Sequence, residues 1–405
     1  MKILITTFNF FPDRPSGADR LAFDEAVELA ARGHEVWIIA HNDRLGRPEY
    51  VYDATLKLHV LRYTPTTRPS LIGRYQFHQQ EVGRLLSKVQ PGDFDIVHGH
   101  SLLHLHGALD VVNADATVGY SIHSPVSLEE RASGLGKSFG ERLFLEVKGR
   151  ILGDVERRLW KRVDFITADS MYTRSVMSQI YGEELGERIV HFPGWVDFER
   201  YSSTQMVDRF LLKTQLGFPT DRPVLLTLRG LKPRNGLPTL LEATRVLVKR
   251  GLHFHLVIAG TGPLERELKQ QADQLGIRSY VSFIGRVEEE ILPKLYGSAD
   301  LFVLPTAMLE CFGLIILEAF ASGKPVVATP VGAIPELIHP IEPRWLCSEN
   351  NADSLAQTIQ AFLMEQLPHH SAEELRSFAQ KFSHEHALNS LVDYVLAQPA
   401  LLGRV

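Results

Sequence analysis

The 405-residue sequence lacks features that mark several large classes of protein. It has two cysteines, Cys311 and Cys347, which are too few for a disulfide framework and are not spaced as zinc ligands. We therefore expect a reducing compartment, with the cytoplasm as the best fit, and no structural metal. No run of about 18 apolar residues is present, so no transmembrane segment is expected. The apolar start at Met1–Thr7 is too short for a signal peptide and predicts a buried strand.

Positive charge is not in excess either. The chain has 43 Lys and Arg against 48 Asp and Glu, a formal net charge of −5. A nucleic-acid-binding protein needs a basic surface to neutralise phosphates, so no nucleic acid is expected as a partner. The composition, 44% hydrophobic and 22% charged, is typical of a folded chain long enough for two domains.

Short apolar runs alternate with longer amphipathic segments, which is the pattern of buried parallel strands joined by helices. The first series of predicted strands is Lys2–Thr6, Glu35–Ala40, Ile96–His98, Thr117–Ile122, Phe165–Ala168 and Ile189–Phe192. The second series is Val224–Thr227, His255–Ala259, Val281–Ile284, Leu301–Leu304 and Val326–Ala328. The pattern predicts an α/β protein with two doubly wound Rossmann-like domains.

Strand patterning lapses between Val196 and Val224, which places the domain boundary there. We expect an N-terminal domain at 1–196 and a C-terminal domain at 197–378. The remaining 379–405 contain a helical pattern at Phe382–Ala397 that periodicity alone does not place.

Two glutamates, Glu310 and Glu318, lie where the predicted strand Leu301–Leu304 passes through a loop into a helix. A helix start offers unpaired backbone N–H groups and the positive end of a dipole, which suits a diphosphate. Gly313 would let the backbone approach a ligand closely. Glu318, one turn into the helix, could bind a ribose, and Glu310 could bind sugar hydroxyls. Spacing alone also fits two solvated surface carboxylates.

Further motifs lie around these glutamates, and others are found in the first half of the chain. They are ECFGL at 310–314, LEA at 317–319, ASGKPVVA at 321–328, IAGTGPL at 258–264 and FIGRV at 283–287, with SGA at 16–18, RGHEV at 32–36, DIVHGH at 95–100 and SIH at 121–123. Together they resemble the family 4 glycosyltransferases, the large retaining group with the GT-B fold, over nearly the whole chain. The resemblance implies that the two Rossmann-like domains face each other across a cleft and that 379–405 cross back onto the N-terminal domain.

The resemblance also implies roles for residues that match the family's motifs. Glu310 corresponds to the first glutamate of an E-x7-E pair, which contacts the donor sugar near the reacting centre. Glu318 corresponds to the second, which holds the ribose. Backbone groups of Gly313 and Leu314 would meet the diphosphate.

Four more residues take roles from the same resemblance. The loop around Arg286 and Val287 would cover the base of the nucleotide. Gly17 resembles the glycine of a loop that faces the donor phosphates. His123 matches a histidine beside the donor sugar, although a lone histidine at a strand end is otherwise more often structural.

The sequence departs from the family where an Arg and a Lys usually neutralise the leaving diphosphate. Gly230 and Asn235 occupy those two places, and Arg229 and Arg234 each lie one residue earlier. Guanidinium groups suit phosphate, so Arg234 and Arg229 are both candidate diphosphate ligands, with surface arginines as the alternative.

Metal and membrane sites have weaker support. His100, His104 and His106 have a spacing compatible with metal binding, but structural histidines explain them as well. No D-x-D pair follows a strand, and a helix dipole with arginine can replace a cation, so metal-independent chemistry and no metal site are expected. The basic amphipathic stretch 131–162 predicts either peripheral contact with anionic lipid or an ordinary surface helix.

We therefore expect a retaining glycosyltransferase that transfers a hexosyl group from a UDP- or GDP-linked donor and needs no cofactor. Its acceptor, a sugar, a lipid-linked molecule or a small molecule, is not readable from the sequence. Two alternatives stay open: a sugar-nucleotide epimerase with the GT-B fold, and a catalytically silent nucleotide-sugar-binding subunit.

Overall fold

The computed structural model describes residues 1–11, 13, 16–41, 47–65, 71–89 and 92–404. The chain divides into two compact units. The first comprises 1–127, 146–194 and the residues from Ala387 onward, and the second comprises Leu128–Leu145 and Trp195–His386.

The described part of the first unit contains an eight-stranded sheet. Its strands are β1 (Lys2–Asn9), β2 (Glu35–His41), β3 (Tyr50–Asp53), β4 (Leu58–Tyr63), β5 (Ile96–Gly99), β6 (Thr117–Ile122), β7 (Phe165–Ala168) and β8 (Ile189–His191). Their order across the sheet is β3-β4-β2-β1-β5-β6-β7-β8. The β3–β4 pair is antiparallel and the other neighbouring pairs are parallel.

The second unit contains, among the same described residues, a parallel sheet of five strands. They are β9 (Val224–Leu228), β10 (His255–Ala259), β11 (Val281–Gly285), β12 (Leu301–Leu304) and β13 (Val326–Ala328), in the order β11-β10-β9-β12-β13. Both sheets confirm the predicted α/β fold class.

Helices connect the strands in both units. They are α1 (Gly17–Ala31), α2 (Leu71–Val89), α3 (Leu102–Ala108), α4 (Val126–Ser133), α5 (Phe139–Trp160), α6 (Met171–Tyr181), α7 (Glu183–Arg188), α8 (Phe198–Ser202), α9 (Arg209–Gln215), α10 (Leu237–Lys249), α11 (Glu265–Gln274), α12 (Leu292–Ser298), α13 (Leu314–Ala321), α14 (Ile334–Ile338), α15 (Ala352–Leu363), α16 (Ala372–Gln380) and α17 (Asn389–Leu401). Within the described ranges, no helix is both long and apolar enough to cross a bilayer.

The strands of the second sheet are largely apolar because this sheet is covered on both faces. In β9, Val224 and Leu226 belong to one hydrophobic cluster, and Leu225 belongs to a second cluster on the opposite face. Parallel sheets are covered in this way because their crossover helices lie on both sides. This explains why their strands read as continuous apolar runs in the sequence.

Each sheet has one position where the chain reverses its direction of travel across the strands. In the first sheet this lies between β1 and β5, and in the second between β9 and β12. Connections that leave the carboxyl ends of such neighbouring strands diverge and leave a crevice, where ligands bind in doubly wound folds. The loops after β1, β5, β9 and β12 are therefore the first places to look for a site.

Two strands are absent from the sequence-based prediction, β3 and β4. Polar residues break the apolar pattern of β4, where Arg62 is buried and its guanidinium lies 4.1 Å from the ring centroid of Phe10. The antiparallel edge strand β3 alternates between exposed and half-buried residues and has no apolar run.

The last helix packs in the first unit. The ring of Tyr394 lies 5.6 Å from that of Phe165 and 4.9 Å from that of Phe192. Arg32 on α1 donates a hydrogen bond to Asn389 at 2.7 Å. The sequence predicted one helix from Phe382 onward. In the structure a short π-helical segment at His384–Leu388 comes first, and α17 begins after it.

Candidate functional site

The loops after β9 and β12 meet at the reversal point of the second sheet. The backbone carbonyl of Arg234 accepts hydrogen bonds from Ala307 N at 2.9 Å and Met308 N at 3.1 Å. Gly236 has a φ of 72°, and a Cβ there would lie 1.6 Å from the carbonyl oxygen of Pro305. The two loops can approach this closely only because residue 236 is glycine.

The backbone of Glu310 is also in close contact with a neighbouring loop, at Gly332 and Ala333. Its carbonyl accepts a hydrogen bond from Ala333 N at 2.8 Å. Gly332 has a φ of 64°, and a Cβ there would lie 2.1 Å from the same oxygen. The position of Glu310 is thus fixed by the backbone before its side chain makes any contact.

The carboxylate of Glu310 pairs with Arg229. Nη2 of Arg229 lies 2.8 Å from Oε2 of Glu310 and also donates to Oδ1 of Asn235 at 3.2 Å, while Nη1 donates to the hydroxyl of Thr306. That hydroxyl donates in turn to Glu310 at 3.2 Å. Burial lowers the pKa of Arg229, although the neighbouring carboxylate opposes the change.

This arrangement excludes one of the two roles that were considered for Arg229. Its side chain is 8% exposed, so it is not a surface arginine. Both of its terminal nitrogens donate to protein groups and thereby orient Glu310, and its role as a diphosphate ligand stays a prediction.

The two residues that replace the family's usual Arg and Lys contact each other. Asn235 is buried, and its Nδ2 donates to the carbonyl oxygen of Gly230 at 2.6 Å. The substitutions at these positions therefore form one local unit, in which Asn235 closes the loop and also accepts from Arg229.

Arg234 is the more accessible of the two candidate arginines. Its side chain is 29% exposed and its Nη1 donates to the carbonyl oxygen of Leu309 at 3.0 Å. The same nitrogen lies 3.2 Å from the carboxylate of Glu129. Its charge is therefore held at the loop that leads to α13.

The start of α13 has no side-chain cap. Gly313 is the N-cap, with a φ of 100° and a ψ of 49°, and no side chain accepts from the first turn there. Leu314 follows as the first helical residue. The backbone N–H groups of this turn carry the positive end of the helix dipole.

Glu318 is the single charged residue on α13, and it is buried. The hydroxyl of Tyr296 donates to its Oε2 at 2.7 Å. This contradicts the alternative of an exposed helix carboxylate. A buried carboxylate needs hydrogen-bond partners, and Tyr296 supplies one of them.

Arg286 and Val287 follow β11, two strands away from β9 at the same edge of the sheet. Arg286 is exposed, whereas Val287 is half-buried and packs against the hydrophobic cluster of the second unit. Gly285 has a φ of 71° and its carbonyl accepts from Gly260 N at 2.7 Å, which turns the chain at this point.

In the first unit, Gly17 is the first residue of α1 and is exposed. The side chain of Ser16 accepts from Asp19 N and thereby caps the helix. The carboxylate of Asp19 accepts from Thr7 at 2.7 Å and from the backbone of Asn9 at 2.9 Å. These contacts join the end of β1 to the start of α1 and fix Gly17 at the reversal point of the first sheet.

His123 directly follows β6 and takes part in a chain of hydrogen bonds. Its Nε2 lies 2.8 Å from Nδ1 of His100, and its Nδ1 lies 3.4 Å from Oδ2 of Asp169. Nε2 of His100 lies 2.8 Å from Glu25, whose other oxygen lies 2.6 Å from Nδ1 of His98. We call Glu25, His98, His100, His123 and Asp169 the histidine network.

Burial sets the charges in this network. It lowers the pKa of His100 to about 4 and raises the pKa of Asp169. Burial alone would raise the pKa of Glu25, but the neighbouring His98 and His100 lower it below its usual range. Around neutral pH, Glu25 is therefore a carboxylate and His100 is a neutral imidazole.

Glu25, His98 and His100 are also the one group of three residues, in the part of the chain that the structure describes, close enough to share a metal ion. The direct contacts of 2.6 and 2.8 Å are hydrogen-bond distances, and each ring nitrogen already has a partner, so the network needs no ion. The three histidines whose spacing was compatible with metal binding, His100, His104 and His106, do not form such a group among the described residues. His104 instead contacts the hydroxyls of Ser101 and Tyr63, each at 2.9 Å.

Several members of these sites were not predicted. Asp169 directly follows β7, so a search of residues after strands would have found it. Glu25 lies on α1 and Tyr296 on α12, and neither position carries a sequence signal for a polar site. Their role depends on tertiary contacts with residues far along the chain.

Comparison with known proteins matches these two halves to two family models. The description "Glycosyltransferase Family 4" matches residues 15–200, and "Glycosyl transferases group 1" matches residues 208–382. An uncharacterised glycosyltransferase of Methanocaldococcus jannaschii is 26% identical over 358 residues, covering 88% of this chain and 87% of the relative. The chain belongs to glycosyltransferase family 4. The resemblance inferred from its motifs is confirmed.

Further relatives and solved structures are similar to this chain. A GDP-mannose-dependent alpha-(1-6)-phosphatidylinositol monomannoside mannosyltransferase of Mycolicibacterium smegmatis is 33% identical over 188 residues, 45% of this chain and 48% of that protein. Sucrose-phosphate synthase from Thermosynechococcus elongatus has a TM-score of 0.78 at 18% identity and covers 100% of this chain and 98% of its own. Anabaena HepE, solved with UDP-glucose, has a TM-score of 0.71 at 19% identity and covers 98% and 99%. The structural likenesses support the GT-B fold.

Proposed function

We propose that this glycosyltransferase transfers a hexosyl group, with retention of configuration, from a UDP- or GDP-linked sugar that binds at the reversal point of the second sheet. The observation that carries the proposal is the Glu310 carboxylate, oriented by buried Arg229 beside the uncapped start of α13. Such a site offers positive charge for a diphosphate and a fixed acceptor for sugar hydroxyls.

Each candidate residue of the second unit has a role in this proposal. The N–H groups at Gly313 and Leu314, together with Arg234 and Arg229, stabilise the negative charge that builds up as the nucleoside diphosphate leaves. Glu318 binds the ribose through its carboxylate. Arg286 and Val287 cover the base.

Glu310 binds hydroxyls of the transferred sugar while the sugar becomes oxocarbenium-like. Gly17 meets the donor phosphates and His123 meets the sugar, as the family resemblance implies. No residue is assigned as a nucleophile, and the leaving phosphate assists attack on the same face of the sugar. Fixed dipoles and Arg234 replace a cation, so we propose metal-independent transfer.

The relatives support two donor bases. The Mycolicibacterium smegmatis relative uses GDP-mannose, and Anabaena HepE was solved with UDP-glucose. We therefore keep UDP and GDP as alternatives and propose a sugar, lipid-linked or small-molecule acceptor.

Donor turnover tests this proposal directly. The protein is incubated with UDP-, GDP- and ADP-linked hexoses, and release of nucleoside diphosphate and the anomeric form of the product are measured by NMR. Glu310→Gln should lower kcat roughly a hundredfold or more, because the fixed charge near the reacting centre is lost. Glu267→Gln, at an exposed site on α11, is the matched control and should leave kcat unchanged.

Four outcomes would contradict the proposal. An inverted product removes the retaining mechanism, and conversion of the donor without an acceptor points to an epimerase. Binding of none of the nucleotide sugars removes the donor site itself. Binding without turnover across a broad acceptor panel indicates a silent subunit.

We also propose that the protein is cytoplasmic and that α5 contacts an anionic membrane surface. Phe139, Leu143, Val147 and Ile151 recur every fourth residue on this helix and are 75%, 55%, 47% and 42% exposed. Exposed arginines flank this apolar stripe, which gives the helix the character of an interfacial one.

Sedimentation with vesicles tests the membrane contact. The protein should pellet with vesicles of phosphatidylglycerol and phosphatidylcholine, and less with phosphatidylcholine alone. Phe139→Asp should reduce pelleting severalfold, whereas Met206→Asp, at a side chain that is 90% exposed elsewhere, should not. Equal loss in both variants, or no pelleting of the wild type, would reject the contact.

A further inference from the structure

We propose that Glu25 and His100 act as a relay that keeps His123 protonated on Nε2, and that His123 and Asp169 share one further proton on the opposite side of the ring. The inference rests on the proposed function only for the catalytic use of His123. The relay itself is an arrangement of hydrogen atoms in the first unit and can be measured without a substrate.

The argument begins at Glu25, whose side chain is fully buried. An ionised carboxylate can only accept hydrogen bonds, so both imidazoles beside it must present N–H groups. His98 donates from Nδ1 at 2.6 Å and His100 from Nε2 at 2.8 Å. Because burial keeps His100 neutral, its ring carries one N–H and its remaining nitrogen, Nδ1, is an acceptor.

The branch through His98 ends in hydroxyl groups. Ser121 donates to Nε2 of His98 at 2.9 Å, and its oxygen lies 2.6 Å from the hydroxyl of Thr167. Hydroxyl hydrogens rotate to suit their partners, so this branch places no demand on any other titratable group.

The branch through His100 has no such freedom. Nδ1 of His100 must accept, and the atom 2.8 Å from it is Nε2 of His123. His123 must therefore carry a hydrogen on Nε2. Glu25 thus determines the tautomer of His123 through one intervening ring.

One proton then remains to be placed between His123 and Asp169. Nδ1 and Oδ2 are 3.4 Å apart, which is long for a hydrogen bond, so the proton is held loosely. If Asp169 is ionised, His123 is an imidazolium; if Asp169 is protonated, His123 is neutral. Burial raises the pKa of Asp169 and favours the second arrangement.

Few other groups bear on this proton. Thr173 donates to the other oxygen of Asp169 at 3.5 Å, and His191 acts on Asp169 through its charge when protonated. His123 itself is 15% exposed at its side chain, whereas Glu25 is completely enclosed. The relay therefore connects a buried fixed charge to a ring that a ligand can reach.

The test is the tautomeric state of His123, read from nitrogen-15 chemical shifts of histidine-labelled protein. In the wild type, Nε2 of His123 should be protonated across pH 6 to 8. Glu25→Ala should abolish this preference and populate the Nδ1–H form, since His100 then has no acceptor to orient it. Ser121→Ala is the matched control: it interrupts the His98 branch of the same network and should leave His123 unchanged.

Asp169→Asn provides a second variant that keeps the network buried and polar. An amide can donate to Nδ1 of His123 as a protonated Asp169 would, so His123 should keep its hydrogen on Nε2 in this variant. Unchanged tautomers in Glu25→Ala, equal changes in Ser121→Ala, or loss of the Nε2–H preference in Asp169→Asn would each overturn the relay.

Kinetics separates this inference from the proposed function. If the wild type turns over a nucleotide sugar, Glu25→Ala should lower kcat roughly tenfold to a hundredfold with little change in KM. Absence of turnover in the wild type would sink the proposed function and leave the NMR test intact. A correct tautomer pattern with unaltered kcat in Glu25→Ala would show that the relay does not serve catalysis.

Discussion

The two units carry polar networks at equivalent points of their sheets but build them from different groups. In the second unit, Glu310 is paired with Arg229, a residue that keeps its charge over the whole physiological range. In the first unit, His123 depends on Glu25, His100 and Asp169, where protonation decides the pattern of donors and acceptors. The comparison predicts that the stability of the second unit responds most to changes of backbone and charge. The stability of the first unit should respond more to pH.

The largest effect is expected at Gly236, where the second unit depends on its backbone. Gly236→Ala would place a Cβ 1.6 Å from the carbonyl oxygen of Pro305 at a φ of 72°. We expect a loss of roughly 4 kcal/mol or more in the free energy of unfolding, measured with urea. Gly276→Ala, at a φ of 68° with open space around it, should cost only about 1 kcal/mol. Similar losses in both variants would show that close approach is unimportant.

The next effect concerns the buried charge pair. Arg229→Met leaves the carboxylate of Glu310 without its cation and should cost roughly 3 kcal/mol of unfolding free energy. The double variant Arg229→Met with Glu310→Gln should recover much of that loss, which a double-mutant cycle measures. Additive losses would show that the two groups are not coupled.

A smaller effect tests the pH dependence of the first unit. Burial raises the pKa of Glu156 from its ordinary value of 4.5 to about 7, although the hydroxyl of Tyr181 donates to it at 2.7 Å. The folded state therefore binds this proton more tightly than the unfolded state. The stabilisation is complete below about pH 4.5 and is lost as pH rises through about 7.

Urea unfolding at pH 5 and pH 8 measures this dependence. The wild type should lose at most roughly 3 kcal/mol over that range through Glu156. Glu156→Gln cannot ionise, so its stability should fall less. Parallel pH profiles of the two proteins would contradict the assignment.

The smallest effect on stability is expected at Arg234. This side chain is partly exposed, so Arg234→Ala should change the free energy of unfolding by less than about 1 kcal/mol. Donor binding should weaken roughly tenfold, because the proposed charge partner of the diphosphate is lost. Calorimetry with the nucleoside diphosphate measures this; unchanged affinity would remove Arg234 from the proposed site.

The sequence predicted the strands better than the polar networks, for a physical reason. Strands such as Leu301–Leu304 are apolar because both faces are covered, and that property is local and readable. Arg229 and Glu310 are 81 residues apart, and nothing near either one indicates that they pair. The strand β4 was missed because its buried Arg62 looks like a surface residue in the sequence.

The motifs, in contrast, led to the right family even where local rules were ambiguous. Spacing alone left Glu318 as a solvated carboxylate or a binding residue, and burial against Tyr296 removes the first reading. For Arg229, burial removes the reading as a surface arginine, and its role as a diphosphate ligand stays a prediction. The departure at Gly230 and Asn235 is understood only from the hydrogen bond between them.

The packing of α17 has a consequence for synthesis of the chain. Phe165 and Phe192 are translated long before Tyr394, whose ring contacts both of them in the finished protein. During translation, the rings of Phe165 and Phe192 therefore remain uncovered by α17 until the entire second unit has been synthesised. Premature termination just before α17 would therefore release a nearly full-length chain with an unfinished first unit, a species prone to aggregation and to capture by chaperones.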